Sequence, residues 1–242
     1  MAEKILFITS NRLGDAVLST AVMANLLDRY PQAQVTVACG PLPAPLFANM
    51  PRLHSLIPMA KRPRGGHWWR LWCAVVGQNW DLVVDLRDSI VSRTVMAKKR
   101  LIFRALPDEA GRHKVDQFAE KLGLQMPLQP RLWFTEEQDR AAREHMKPEL
   151  GPILAVGPAA NWAGKEWPMA RYQALIATLT APDGILPGAR VAVSAAPNER
   201  TQAIKAWQGI AEERRVDLMH NTDPAFAAAC LRYVSLYVGN DS

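Results

Sequence analysis

The sequence predicts an α/β protein built as two halves, each a doubly wound parallel sheet, and three observations carry that prediction. Short continuous apolar runs, such as residues 5–8 and 153–156, suit parallel strands covered on both faces. Each run breaks into a turn of polar or small residues and then opens a segment of helical periodicity, and this alternation continues along the chain. Midway, residues 125–133 are rich in proline and lose helical periodicity, as expected of a linker. The halves are therefore predicted as residues 1–133 and 134–242.

Taken in order, residues 5–8 form the first strand and 11–14 the turn residues, which places Asp15 at a helix entrance. The helix over 16–30 repeats Val17, Ala21, Ala24 and Leu27 at three- and four-residue spacing and ends at Pro31. A strand over 34–38, a short helix over 42–49 and a strand over 55–58 follow. Next comes a basic loop over 61–66, broken by Pro63 and two glycines. The segment HWWRLWCAVV puts Trp69, Trp72 and Val76 on one helical face, expected to pack on the sheet. A second reading joins Lys61, Arg62 and Arg64 to the exposed members of Trp68, Trp69 and Trp72 as a basic, aromatic edge that touches anionic lipid. The strand over 82–85 ends in DLRDS, with Ser89 or Asp88 expected to cap a helix running to Lys98. A strand over 100–103 and a helix over 114–122 complete the first half. The second half reads as a polar helix over 136–146, a strand over 153–156 and a helix over 169–179. Strands over 190–194, 216–218 and 235–238 follow, separated by helices over 199–208 and 225–233. That is four strands where such a half usually carries about six, so the second half is expected to be incomplete, with exposed apolar sheet at its last strand.

Chemistry is expected where strands end, because the ligand crevice of an open parallel sheet lies beyond their carboxyl ends. Asp15 is the first candidate. Residue type alone favours a helix cap, but Arg12 in the same turn suits an anionic ligand better than a plain cap. With one glycine, Gly14, the turn lacks the GxGxxG cradle of dinucleotide enzymes. The same crevice rule exposes Asp85, Arg87, Asp88 and Ser89. Arg87 and Arg93, with Lys98, Lys99 and Arg100, could meet phosphates or carboxylates, or form a solvated basic face. The strand over 153–156 leads into GPAANWAGKEWP, where small residues let a ligand approach, backbone N–H groups face it and Lys165 supplies charge for a diphosphate. A formal charge of +6 favours anionic partners. No nucleic-acid motif accompanies it, so nucleic acid is not expected. Three scattered cysteines and five dispersed histidines give neither a disulfide framework nor metal-ligand spacing. A reducing cytosol is expected, as are no metal and no cofactor.

The segment NRLGDAVLSTAVMANLLDRYPQAQVTV resembles the opening of the ADP-heptose:lipopolysaccharide heptosyltransferases, glycosyltransferase family 9, with a close match at Arg12, Gly14 and Asp15. The K-x-W-P segment at Lys165 is similar to the family's donor loop, and the final VGNDS matches its GNDSG segment at Gly239, Asn240, Asp241 and Ser242. The resemblance implies a GT-B fold of two Rossmann-like halves with the active site between them, the second half truncated. It implies an acceptor-side first half and a nucleotide-sugar-binding second half. Asp15 would be the catalytic base of an inverting transfer. Arg12, Gly14, Arg87, Asp88, Lys165, Asn240, Asp241 and Ser242 would bind substrate. A nucleotide-sugar donor, ADP-heptose, and a lipopolysaccharide core acceptor are the implied partners. Peripheral contact with an anionic membrane, on the inner face of the inner membrane, fits a cytoplasmic enzyme of this kind. The competing class is a non-catalytic nucleotide- or glycan-binding homologue on the same scaffold.

Overall fold

The structure, a computed structural model, describes residues 3–104, 111–160 and 162–240. The chain divides into two compact units, Met1–Trp133 and Phe134–Ser242.

In the first unit the elements run β1 (Lys4–Ile8), α1 (Leu13–Arg29), β2 (Gln34–Cys39), β3 (Leu53–Pro58), α2 (Gly66–Val75), β4 (Trp80–Asp85), α3 (Val91–Thr94), β5 (Ala97–Ile102) and α4 (Lys114–Leu122). The strands form one parallel sheet in the order β3-β2-β1-β4-β5. The chain steps outward from β1 to β3 and then returns to lay β4 on the other side of β1, with Ile8 beside Asp85. The strand order therefore reverses at the β1/β4 boundary, where such sheets open a crevice. Ile5, Leu6, Phe7 and Ile8 are fully buried. On one face Leu6 and Ile8 pack with Leu71 and Val75 of α2, Trp80 and Val83 of β4, and Val91 of α3. The Trp80 indole N–H donates to the Val75 carbonyl at 3.0 Å, so its polar edge is satisfied inside the core.

Several elements differ from expectation. α1 begins three residues early, so Asp15 lies within its first turn rather than before it. The helix expected over 42–49 is a single tight turn at Ala44–Leu46. In α2 the core face is Leu71 and Val75, whereas Trp69 is 64% exposed and stacks on the half-buried Trp72 with ring centroids 5.0 Å apart. The helix expected to reach Lys98 ends at Thr94. Arg100 explains the stop: it donates to the Ser92 carbonyl at 2.8 Å and the Val95 carbonyl at 2.7 Å, satisfying the open end of α3 while its backbone lies in β5. Neither Ser89 nor Asp88 caps that helix; Ile90 occupies the position without a side-chain bond.

The second unit runs α5 (Glu136–Met146), β6 (Ile153–Gly157), α6 (Met169–Thr180), β7 (Arg190–Val193), α7 (Arg200–Ala203), β8 (Arg215–Asp217), α8 (Pro224–Leu231) and β9 (Leu236–Gly239). Thr135 and Gln138 start α5 with reciprocal backbone bonds, both 3.1 Å, a capping box that fixes its first residue. The helix expected over 199–208 is α7 followed by the tight turn Ile204–Trp207. The sheet is parallel in the order β8-β7-β6-β9, so its strand order reverses beside β6. Leu154, Val156 and Tyr172 anchor the core on one face, and Ala142, Met146, Ile153 and Cys230 on the other. β9 lies at the edge with Leu236 and Val238 half-buried and Tyr237 50% exposed. Among the described residues no helix is long and apolar enough to cross a membrane.

Candidate active site

At the end of β1 the chain leaves the sheet through Thr9, whose buried hydroxyl donates to Ser19 Oγ at 2.8 Å. The next residues pass so close to β2's end that a Cβ on Gly40 would sit 2.5 Å from Asn11 Cα; glycine is required there by the crossing. Arg12 is the first flanking residue of α1, with extended backbone and no capping side chain. Asp15 therefore caps nothing. Its Oδ1 accepts from Lys114 Nζ at 2.6 Å, at the start of α4, and its Oδ2 accepts from Ser10 Oγ at 3.3 Å. Ser10 Oγ in turn accepts from the Arg12 backbone N–H at 3.0 Å. The Asp15 and Lys114 side chains keep 30% and 37% of their surface exposed, so the pair is anchored yet open.

These groups line a cleft of about 540 Å³ at the β1/β4 reversal, together with Arg87, Asp88, Phe103, Arg104 and Phe118. The cleft floor after β4 is built by Asp85, which is fully buried and accepts from Arg87 N (2.8 Å), Ser89 N (2.7 Å) and Ser89 Oγ (2.6 Å). Asp85 and Ser89 thus hold the turn rather than face a ligand. Asp88 adopts a left-handed backbone, φ 50°, strained for an L-residue. Its carboxylate lies between Arg93 and Arg104, the latter at 3.0 Å. Hydrogen bonds from Arg93 first, then Arg104, hold the Asp88 carboxyl below the usual carboxylate range. Arg87 lies on the rim with its guanidinium 5.6 Å over the Trp68 ring.

Sequence reasoning brought Arg12, Asp15, Arg87 and Asp88 to this cleft but missed Lys114, Arg104 and Ser10. Lys114 left one signal, since a cation at the first residue of a helix opposes the macrodipole and so asks for a nearby anion. Of the basic residues that could meet a ligand or form a solvated face, Arg100 is spent on the end of α3, and Lys98 pairs with Asp81 at 2.7 Å on the opposite end of β4. Gly14 is exposed and a Cβ there would meet nothing within 4 Å, so no packing constraint demands glycine.

In the second unit the corresponding strand end is tied together by Asn240. Its Oδ1 accepts from the Trp167 backbone N–H at 3.1 Å and the Tyr172 hydroxyl at 2.9 Å, and its Nδ2 donates to the Pro158 carbonyl at 2.8 Å. One amide thus pins the loop after β6 to the start of α6, and most of its hydrogen-bonding capacity is used by the protein. A Cβ on Gly157 would collide with the Tyr237 hydroxyl, so a neighbouring ring, rather than an approaching ligand, demands glycine there. The loop borders a pocket of about 350 Å³ lined by Pro158, Glu166, Trp167, Asn198 and Gln202 among others. Lys165 lies exposed at the end of the tight turn Ala163–Lys165, outside that lining. Asp241 and Ser242 lie outside the described residues. No group of three or more His, Cys, Asp or Glu side chains suited to a metal ion occurs among the described residues.

Comparison with known proteins gives this arrangement a family. The chain is similar in structure to Escherichia coli ADP-heptose lipopolysaccharide heptosyltransferase II, at TM-score 0.75 and 21% identity, over 99% of this chain and 79% of that one. It is similar to a family 9 glycosyl transferase from Veillonella parvula, at TM-score 0.79 and 16% identity, over 99% and 75%. E. coli heptosyltransferase WaaC with ADP matches at TM-score 0.71 and 18% identity, over 99% and 82%. The two parallel sheets are those of a GT-B fold, and the chain is shorter than these structures. No curated protein matches in sequence. The sequence profile of glycosyltransferase family 9 (heptosyltransferase) matches residues 100–242, more than half of the chain, and the protein belongs to that family.

Proposed function

We propose that the chain transfers a heptose from a nucleoside-diphosphate sugar, ADP-heptose, to a lipopolysaccharide core acceptor with inversion at the anomeric carbon. The observation that carries this reading is Asp15: it caps no helix, borders a cleft at a strand reversal, and is oriented from two sides by Lys114 and Ser10. The donor's identity is supported by family membership and by likeness to a heptosyltransferase solved with ADP. The acceptor's hydroxyl oxygen attacks the anomeric carbon as the bond from that carbon to the diphosphate oxygen breaks. The bonding electrons leave with the diphosphate, and the hydroxyl proton passes to Asp15. Before that transfer the carboxylate is an electrostatic partner for the cationic character the sugar develops. Lys114 and Ser10 hold it in one orientation, which reduces the entropy to be lost at the moment of reaction.

Arg12, Arg87 and Arg104 give the cleft a basic rim for the acceptor's anionic groups, with Asp88 fixing Arg104 in place. The first unit is thus the acceptor side. The donor falls to the second unit, where Lys165 stabilises the departing diphosphate and Asn240 keeps the loop after β6 in shape. The test is to incubate the protein with ADP-heptose and a heptose-deficient core acceptor, following ADP release and the anomeric configuration of the product. Inverted product is expected. ADP-heptose bound without release of ADP would replace transfer by binding alone.

A further inference from the structure

We propose that Asp217, at the carboxyl end of β8, is a positioning residue for the ligand of the second unit's pocket and acts through Arg200. The proposal rests on the reading that this unit takes the donor. One wall of the pocket is formed by Asn198, Glu199, Gln202 and Ala203, which flank Arg200 on both sides. That wall is held unevenly. Its far end is core: Ala203 and Ala206 are buried, and the Trp207 indole N–H donates to the Val191 carbonyl at 2.8 Å. Its near end, the tight turn Pro197–Glu199 and the start of α7, is largely exposed, and α7 has no side-chain cap. Among the described residues, Arg200 is the one side chain between 197 and 202 that bonds to a strand. Its Nη1 and Nη2 donate to the two Asp217 carboxylate oxygens at 3.2 and 2.6 Å, a forked geometry that fixes direction as well as distance.

Asp217 is itself held from behind. Its Oδ1 also accepts from the Met219 backbone N–H at 2.8 Å. Its carbonyl lies 2.8 Å from His145 Nε2 of α5 and 2.9 Å from His220 Nδ1, and a carbonyl can only accept, so each ring points an N–H at it. The two imidazoles stack with centroids 4.4 Å apart, and Phe226 of α8 meets both edge-on. Burial works against charge on the Asp217 carboxyl, yet the bonds from Arg200 and Met219 outweigh it and hold the group below the usual carboxylate range. A line of contacts thus runs from α5 and α8 through Asp217 and Arg200 to the pocket wall. A wall already in place lowers the ordering cost a ligand meets on binding. Global stability is not what the pair serves, because the Arg200 and Asp217 side chains keep 45% and 29% of their surface exposed, and ion pairs so open add little to folding.

Titration of the full chain with ADP-heptose by calorimetry needs no turnover, so this test stands apart from that of the transfer reaction. Asp217→Asn and Arg200→Gln should each raise the dissociation constant about five- to tenfold, and the double variant should lose no more than either single, because the two residues act as one unit. Steady-state kinetics should show the same rise in donor KM with kcat within about twofold of the parent, the pattern of binding lost equally from ground and transition states. Asp217→Glu, which keeps the charge, should recover part of the affinity. Melting temperatures should change little, and Arg200→Gln, which alters an exposed side chain, carries the test even without Asp217→Asn. Unchanged donor affinity in the folded variants, or losses that multiply in the double variant, would overturn the proposal while leaving the donor in the second unit. No binding of ADP-heptose by the parent, or protection from hydrogen exchange that falls on β1 and β4 instead of β6 and β7, would remove the donor from this pocket and the proposal with it.

Discussion

Asp15 and Lys114 are 99 residues apart in sequence yet meet at 2.6 Å, and this pair is where the chemistry of the first unit can be tested most directly. Asp15→Asn keeps the shape and loses the charge, so folding should persist while turnover falls by about a hundredfold or more, the scale of a positioned base. Lys114→Met leaves Asp15 in place but frees it to rotate. Turnover should then fall about tenfold or more with donor KM little changed, as for a group that acts on orientation rather than on donor binding. Lys114→Arg should restore part of the loss. Steady-state kinetics of the folded variants check both expectations, and Asp15→Asn turning over at the parent's rate would remove Asp15 from the reaction. Arg12 and Asp15 were legible because they share one turn with a family-like spacing. Lys114 was not, because nothing local marks its partner and only the packing of α4 beside the cleft brings it there. Asn240 was legible as a conspicuous residue, but its bonds to Trp167, Tyr172 and Pro158 depend on tertiary placement that spacing does not reveal.

Elements were legible in proportion to how locally their ends are determined. α4 and α5 match their expected bounds residue for residue; Thr135 and Gln138 box the start of α5. α3 was overextended because Arg100, a residue of the following strand, ends it by bonding its last carbonyls, and such a cap cannot be seen from helical periodicity. The tryptophans of α2 misled in part: Trp72 packs against the edge of the core as its spacing suggested, but Trp69 stays exposed and the pair Leu71 and Val75 fills the space against the sheet. The contrast between β1 and β9 gives a prediction at this scale. β1 is central and fully buried, whereas β9 is an edge strand with half its residues exposed. Amides of β9 should exchange with solvent at least about a hundredfold faster than those of β1, because few apolar contacts oppose its local opening. Hydrogen exchange resolved by residue measures this, and equal strong protection would show that β9 is held as firmly as an interior strand.

At the scale of the whole molecule, each unit carries its own parallel sheet and its own buried clusters, Leu6, Ile8 and Leu71 in the first, Leu154, Val156 and Tyr172 in the second. Separate cores allow separate stability, and a ligand adds to the stability of the part it binds. If the donor belongs to the second unit, ADP should stabilise that unit in particular. At a hundredfold its dissociation constant it adds about 2.7 kcal/mol, which for a domain of this size raises the melting temperature by about ten degrees or more. Calorimetry should therefore show one of two overlapping transitions rising in temperature as ADP is added while the other stays in place. Hydrogen exchange assigns them: β6 and β7 amides should gain protection with ADP while those of β1 and β4 stay as they were. Adenosine, which lacks the diphosphate, should produce a smaller shift, since Lys165 would have nothing to hold. Gains of equal size in both sheets would assign ADP to neither unit alone, and gains confined to β1 and β4 would reverse the proposed division between donor and acceptor.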